Sequence, residues 1–229
     1  MRGPARVPLS ARAAYPLWAS TYDEENALTA LEQDAVRLLS PDRCGRLLDA
    51  ACGTGRRLPP GGSDRRAFGV DLVFEMLVSG RRREVRGRLA AADLDALPFA
   101  AGTFDTVWCR LALGHLSRLG PAYRQLARVC RPGATLLVTD VHPDAASRGL
   151  RRTFAGSDGR TREVEHHVHL AADHLEEAGM AGLTFDERLD LKVGPEQGHF
   201  FAAAGTRERD ELESGRPVLL ALRFRREPA

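Results

Sequence analysis

Three aspartates stand where short apolar runs end. Leu47-Leu48 leads into Asp49, Phe68-Gly69-Val70 into Asp71, and Ala91-Ala92 into Asp93. An ionised carboxylate accepts hydrogen bonds and donates none, so acids in this pattern suit a ligand rich in hydroxyl and amine donors. Directly after Asp49 comes a run of small residues, Ala50-Ala51-Cys52-Gly53-Thr54-Gly55-Arg56. Small side chains let backbone amides approach a ligand closely, and Gly53 and Gly55 can take φ > 0 without a Cβ clash. A strand feeding a nucleotide-binding loop has this form. Histidines supply the second kind of chemistry, because an imidazole can take up a proton near neutral pH. His115, His142 and His169 all follow later strand-like segments and are the candidate bases, in the order His142, His169, His115.

A dinucleotide fingerprint, G-x-G-x-x-G, would place a third glycine at position 58, which is Leu58. A phosphate-binding Walker loop would need Gly-Lys-Ser/Thr, which is missing too. The spacing of Asp49, Ala51, Gly53 and Gly55 resembles instead the D-x-G-x-G-x-G loop of the class I S-adenosylmethionine-dependent methyltransferases, with Ala51 in place of a glycine. The resemblance is close over residues 46–140 and looser beyond. Its nearest type is the small-molecule group that includes the ubiquinone and menaquinone C-methyltransferases. It implies a Rossmann-like α/β fold: a doubly wound, mostly parallel, seven-stranded sheet. It also implies S-adenosylmethionine as cofactor, leaving as S-adenosylhomocysteine, and a small organic acceptor methylated on O, N or C.

The resemblance assigns parts to residues. Asp71 would accept the ribose hydroxyls, or serve as helix N-cap for the Val73–Arg83 segment. Asp93 would face the adenine amine, with Leu94 or Leu72 on the ring, while Asp95 is a loop acid. Asp49, Ala51, Gly53, Thr54, Gly55, Arg56 and Met76 complete the implied contacts. Arg110, Leu111 and His115 would line the methionine end. Tyr22 would close over the cofactor, where an aromatic face attracts a sulfonium, or pack beneath a helix.

Positioning these residues requires a regular alternation of elements. Thr106–Cys109 and Thr135–Asp140 read as the fourth and fifth strands, separated by an amphipathic helix at Ala122–Val129. A helix from about Ala27 to Leu39 precedes the core, and Met1–Pro16 reads as a flexible arm. The helix after the Gly loop meets Pro59-Pro60-Gly61-Gly62, which limits it to one or two turns. After the fifth strand, Arg152–Phe154 and Thr161–His169 flank an Asp158-Gly159 turn and predict a hairpin. Ala171–Ala178 reads as a helix stopped by Gly179, and Leu183–Leu191 and Val218–Arg225 as the last strands. The expected organisation is one domain: arm and lid helix 1–40, cofactor-binding core 46–140, substrate cap 141–182, C-terminal strands 183–229.

Composition narrows the partners. The 229 residues carry a net charge of +2, from 33 basic and 31 acidic groups, which leaves no electrostatic footprint for nucleic acid. Lys192 is the only lysine, a bias read as that of a GC-rich bacterial genome, and Arg81-Arg82-Arg83 suits a solvated helix end. No apolar run approaches a membrane span. Cys44, Cys52, Cys109 and Cys130 are scattered, as expected of reduced thiols in a cytoplasm. Glu165-His166-His167-Val168-His169 invites a metal reading, since His167 and His169 share a strand face. Metal-dependent relatives, however, carry acids after both the fourth and fifth strands, and here only Asp140 fits. The expectation is therefore a cytoplasmic, metal-independent enzyme, monomeric or homodimeric, active in bacterial secondary metabolism. Two alternatives stay open: a cofactor-binding protein that transfers no methyl (cyclase-like or a partner subunit), and a nicotinamide-dependent oxidoreductase.

Overall fold

A computed structural model describes residues 7–42, 45–59, 66–82, 88–203 and 215–227. Arg2, Arg6, Cys44, Pro60-Gly61-Gly62 and Arg83 lie outside the described residues. Five strands run parallel: β1 (Leu47–Ala50), β2 (Ala67–Asp71), β3 (Arg88–Ala91), β4 (Phe104–Arg110) and β5 (Cys130–Val141). They join β8 (Leu183–Lys192) and β9 (Pro217–Arg226) in one seven-stranded sheet of order β3-β2-β1-β4-β5-β9-β8, in which β9 is antiparallel to both neighbours. The order reverses between β1 and β4. Connections leave these two strands toward opposite sides, so a crevice opens beyond their carboxyl ends.

Alternation along the strands divides the core between the sheet's two faces. Leu48, Ala50, Leu136, Val138, Leu220 and Leu222 pack with Tyr123 and Leu126 of α4 (Gly120–Val129) and Ala178 of α6 (Ala171–Met180). Their neighbours Leu47, Leu137, Leu219 and Ala221 pack with Leu31, Ala35 and Leu39 of α2 (Ala27–Leu39). The α2 bounds match the sequence reading. Asn26 fixes the start by accepting the Thr29 amide, while the Thr29 hydroxyl accepts the Asn26 amide. Helix α3 (Phe74–Arg82) follows β2, and α5 (Pro143–Ser147) and α7 (Gly198–Ala203) complete the helices.

Four expectations need correcting. Residues 11–18 form a helix, α1 (Ala11–Trp18), not a flexible arm. Pro16 deletes one of its hydrogen bonds, so packing holds it. Trp18 stacks on Phe154 at 4.9 Å, and Leu9 exchanges backbone hydrogen bonds with Glu163 and Glu165. The described residues after the Gly loop form turns instead of a short helix, through Gly55 N–H to Cys52 O and Leu58 N–H to Gly55 O. The hairpin forms as β6 (Thr153–Ala155) and β7 (Thr161–Glu163), but 165–169 leaves the ladder because the His167 amide donates to Gly114 O. Gly179 lies inside α6, and the left-handed residue beyond the helix is Gly182, φ +78°.

Candidate functional site

A cavity of about 310 Å³ lies in the crevice beyond β1 and β4. That volume is within the range of small-molecule sites. The first wall comes from the strand ends. Ala51 follows β1 with φ +65°, a left-handed conformation that costs an L-residue about 1–2 kcal/mol. Leu111, just past β4, is also left-handed at φ +51°. Left-handed residues cluster at ligand clamps, and here two of them border one cavity.

Asp71 closes β2. One of its oxygens accepts the Gly53 amide at 2.7 Å and the other the Val73 amide at 2.9 Å. Burial raises its pKa, and these two amides offset only part of that rise. Each oxygen retains a lone pair for a ligand hydroxyl. Asp93, beyond β3, is more open: Arg12 of α1 reaches it at 3.2 Å, and it accepts the Asp95 amide. Leu72, Val73, Ala92 and Leu94 supply apolar surface between the two acids.

The opposite wall is aromatic and comes from the N-terminal segment. Tyr15 and Tyr22 line the cavity together with Ser10, Ala11 and Arg12. The Tyr22 ring lies against Gly53, where a Cβ would meet Tyr22 Cε1 at 2.9 Å. The Tyr15 hydroxyl and His115 Nε2 are 2.8 Å apart, and His115 Nδ1 is 3.0 Å from Glu165 O. A carbonyl can only accept, so Nδ1 carries the proton and Nε2 accepts from Tyr15. Burial, reinforced by Arg152, drives the His115 pKa down to about 3, so this imidazole is neutral at pH 7.

Arg110 also lines the cavity, yet its guanidinium is largely spent. It pairs with Asp49 at 2.5 Å and with Glu32 of α2 at 2.7 Å. Burial opposes its charge, but Asp49 and Glu32 together outweigh that and raise its pKa.

Of the residues expected at the cofactor, Tyr22, Ala51, Asp71, Leu72, Asp93, Leu94, Arg110, Leu111 and His115 border the cavity. The others do not. Asp49 is fully buried on Arg110, and Met76 packs beneath Ala19 and Val73. Gly53 is covered by Tyr22, while Thr54 and Arg56 turn away to bond Asp23, with Gly55 in the turn between them. Among the candidate bases only His115 borders the cavity. His142 caps α5, accepting the Asp144 amide at 3.2 Å, and its other nitrogen lies 3.2 Å from Asp190. His169 Nε2 donates to Leu116 O at 2.8 Å. Among the described residues no group of three or more His, Cys, Asp or Glu is arranged to hold a metal. The cavity residues of α1, Ala11, Arg12 and Tyr15, escaped the sequence reading, although Tyr15 and Trp18 stand at helical spacing.

Comparison with known proteins gives the family of the chain. A family model described as a methyltransferase domain matches residues 48–138. Malonyl-[acyl-carrier protein] O-methyltransferase of Enterobacter lignolyticus is 33% identical over 179 residues, covering 75% of this chain and 67% of that protein. The chain belongs to the class I S-adenosylmethionine-dependent methyltransferases. Demethylmenaquinone methyltransferase of a Roseiflexus species is 34% identical over 134 residues, covering 54% of this chain and 56% of that one. The fold also matches a solved S-adenosylmethionine-dependent methyltransferase from Mesorhizobium loti, with TM-score 0.62, 23% identity, and coverage of 85% and 97%. The methyltransferase thus spans about two thirds of the length of the first relative and little more than half of the second.

The cavity suits S-adenosylmethionine on chemical grounds. Two acids face a ligand whose ribose and adenine present donors, and aromatic rings face a sulfonium. This cofactor brings a methyl group already activated on sulfur, so the methyltransferase has mainly to orient the acceptor in line with it.

Proposed function

We propose that the methyltransferase modifies a small organic acceptor whose attacking atom is already nucleophilic, without a protein base and without a metal. The carrying observation is the state of the histidines. His115 is held neutral, with its one free lone pair occupied by the Tyr15 hydroxyl, and a pKa of about 3 makes it a poor proton acceptor. His142 and His169 stand outside the cavity with their nitrogens engaged on Asp190, the Asp144 amide and Leu116 O. An acceptor that is anionic in water needs neither proton removal nor a Lewis acid to become nucleophilic. The malonyl O-methyltransferase relative is named for an acceptor of this kind.

In this reading Asp71 holds the ribose, Asp93 the adenine amine, and Leu72, Leu94 and Ala92 the ring faces. Arg110, Leu111 and Ala51 border the amino-acid portion, Tyr22 closes over the sulfonium, and α1 with the 19–25 segment acts as the lid. The β6–β7 hairpin and α6 form the cap on the acceptor side. A cytoplasmic enzyme accords with three buried free cysteines among the described residues, a bacterial one with the bacterial relatives, and it would act as a monomer or homodimer. Transfer is favoured over mere cofactor binding because both curated relatives are named as methyltransferases.

The test follows S-adenosylhomocysteine formation against a malonyl thioester, a dihydroxybenzene and a primary amine, with pH profiles from 5 to 9. The expected result is turnover of the anionic acceptor with a rate flat through pH 6–7, and His142→Gln and His169→Gln variants within about threefold of the parent. A 100-fold loss in either variant, or a rate that climbs tenfold per pH unit up to neutrality with that acceptor, would restore a histidine base.

A further inference from the structure

Arg152 lies just before β6 and its guanidinium reaches two residues of the cavity wall, Tyr15 and Leu111. Nη1 donates to Leu111 O at 2.6 Å and Nη2 to the Tyr15 hydroxyl at 3.2 Å. Arginine carries five N–H donors in a planar fork, so donors remain. Among the described residues no carboxylate lies within 4.0 Å of it. The next arginine along, Arg151, is exposed and pairs loosely with Glu163 at 3.9 Å. A half-buried cation beside neutral rings and lacking an acid is an incomplete ion pair. Its field is felt by those neighbours: Arg152 opposes the burial-driven rise of the Tyr15 and Tyr22 pKa values and helps keep His115 neutral.

We propose that Arg152, through the guanidinium donors left over from Leu111 O and the Tyr15 hydroxyl, seats the carboxylate of the methyl acceptor, and that the product is a methyl ester. This deepens the reading of a base-free site and rests on it. Chemically the step balances without a proton. One carboxylate oxygen forms the new C–O bond as the methyl–sulfur bond breaks, and that bond's electron pair stays on sulfur. An anion and a sulfonium become a neutral ester and a neutral thioether. Held on the guanidinium fork, each carboxylate oxygen keeps a second lone pair, and one of these faces the methyl group. Arginine suits this task better than lysine because its planar fork matches a carboxylate.

The experiment measures binding as well as turnover. With S-adenosylhomocysteine saturating, so that no reaction occurs, calorimetry follows three acids (a malonyl thioester of N-acetylcysteamine, benzoate and hexanoate) and the methyl ester of each. The parent is expected to prefer at least one acid over its ester by about tenfold or more. Arg152→Met should abolish that preference while binding S-adenosylhomocysteine as the parent does. If Arg152→Met loses S-adenosylhomocysteine binding because Leu111 O is released, Arg152→Lys decides. It keeps the charge, loses the fork, and should weaken the acid alone. Undiminished preference in the folded variant overturns the assignment to Arg152. A parent that distinguishes no acid from its ester overturns the carboxylate, and turnover of a phenol or amine in that case would leave the methyl-transfer reading standing.

Discussion

Replacing Arg110 with Met should cost the fold about 3–5 kcal/mol, because removing one member of a buried ionic group leaves the others uncompensated. The three side chains are all shielded: 8% of Arg110, 5% of Glu32 and none of Asp49 is exposed. In a chain of this size each kcal/mol moves Tm by roughly 2–4 °C, so Tm should fall by roughly 6–20 °C. Calorimetry and urea unfolding at pH 7 would measure it. Two controls isolate the cause. The triple variant E32Q/D49N/R110M removes all three charges of this group and should recover most of the loss. The deficit of R110M should also shrink with acid. Burial already raises the Asp49 pKa, and Arg110 is the group that lowers it. Without Arg110 the folded-state value rises further above the unfolded one. An acid with a raised folded pKa penalises the fold increasingly as pH climbs from the unfolded value to the folded one, and releases the penalty below. The reasoning fails if R110M lies within about 1 kcal/mol of the parent, or if its deficit is the same at pH 5 and pH 7.

Two further substitutions probe the cofactor side. Asp71→Ala removes two acceptor oxygens facing the cavity and should weaken S-adenosylhomocysteine binding by about 1–3 kcal/mol in calorimetry; unchanged affinity would contradict the ribose assignment. Gly80→Ala should destabilise by about 1–3 kcal/mol in urea, although alanine favours helices, because its Cβ would fall 1.9 Å from the Thr54 carbonyl oxygen. A more stable Gly80→Ala variant would show that the Gly loop does not rest on α3 as described.

How much was legible in the sequence follows from the range of each interaction. Strands β1, β2, β4 and β5 announce themselves because each is a short apolar run, and the first two end in an acid before a turn. Helix α2 is bounded by a capping pair three residues apart, Asn26 and Thr29, which a sequence displays directly. Helix α1 is not of this kind. Its Pro16 argues against a helix, and its support, Phe154 and Glu163–Glu165, lies far along the chain. The same holds for the ionic group, where Glu32, Asp49 and Arg110 meet only in the fold. Asp49 and Arg110 are thereby paired with each other across 61 residues of sequence, a contact that no local pattern displays. The 165–169 segment alternates as a strand should, but its backbone bonds Leu9 and Gly114 instead of prolonging the β6–β7 hairpin.

The placement of charge links these parts into one account of the reaction. Asp71, Asp93, Tyr15 and Tyr22 line the cavity, and Arg152 stands behind Tyr15, bonded to its hydroxyl. A cationic methyl donor is favoured near the acids, and an anionic acceptor near the guanidinium. Bringing those two ions together in water would gain little, since at a few ångströms a unit pair is worth only about 1 kcal/mol there. Aromatic rings and a covering helix exclude water, and the attraction grows as the effective dielectric falls. Transfer then turns two ions into two neutral molecules, so a drier site hinders the separated ions more than the transition state in which their charges cancel. An amine acceptor would keep a positive charge throughout and gain nothing from this arrangement. The same enclosure that drives the His115 pKa to about 3, and so disqualifies it as a base, therefore favours an acceptor that needs none.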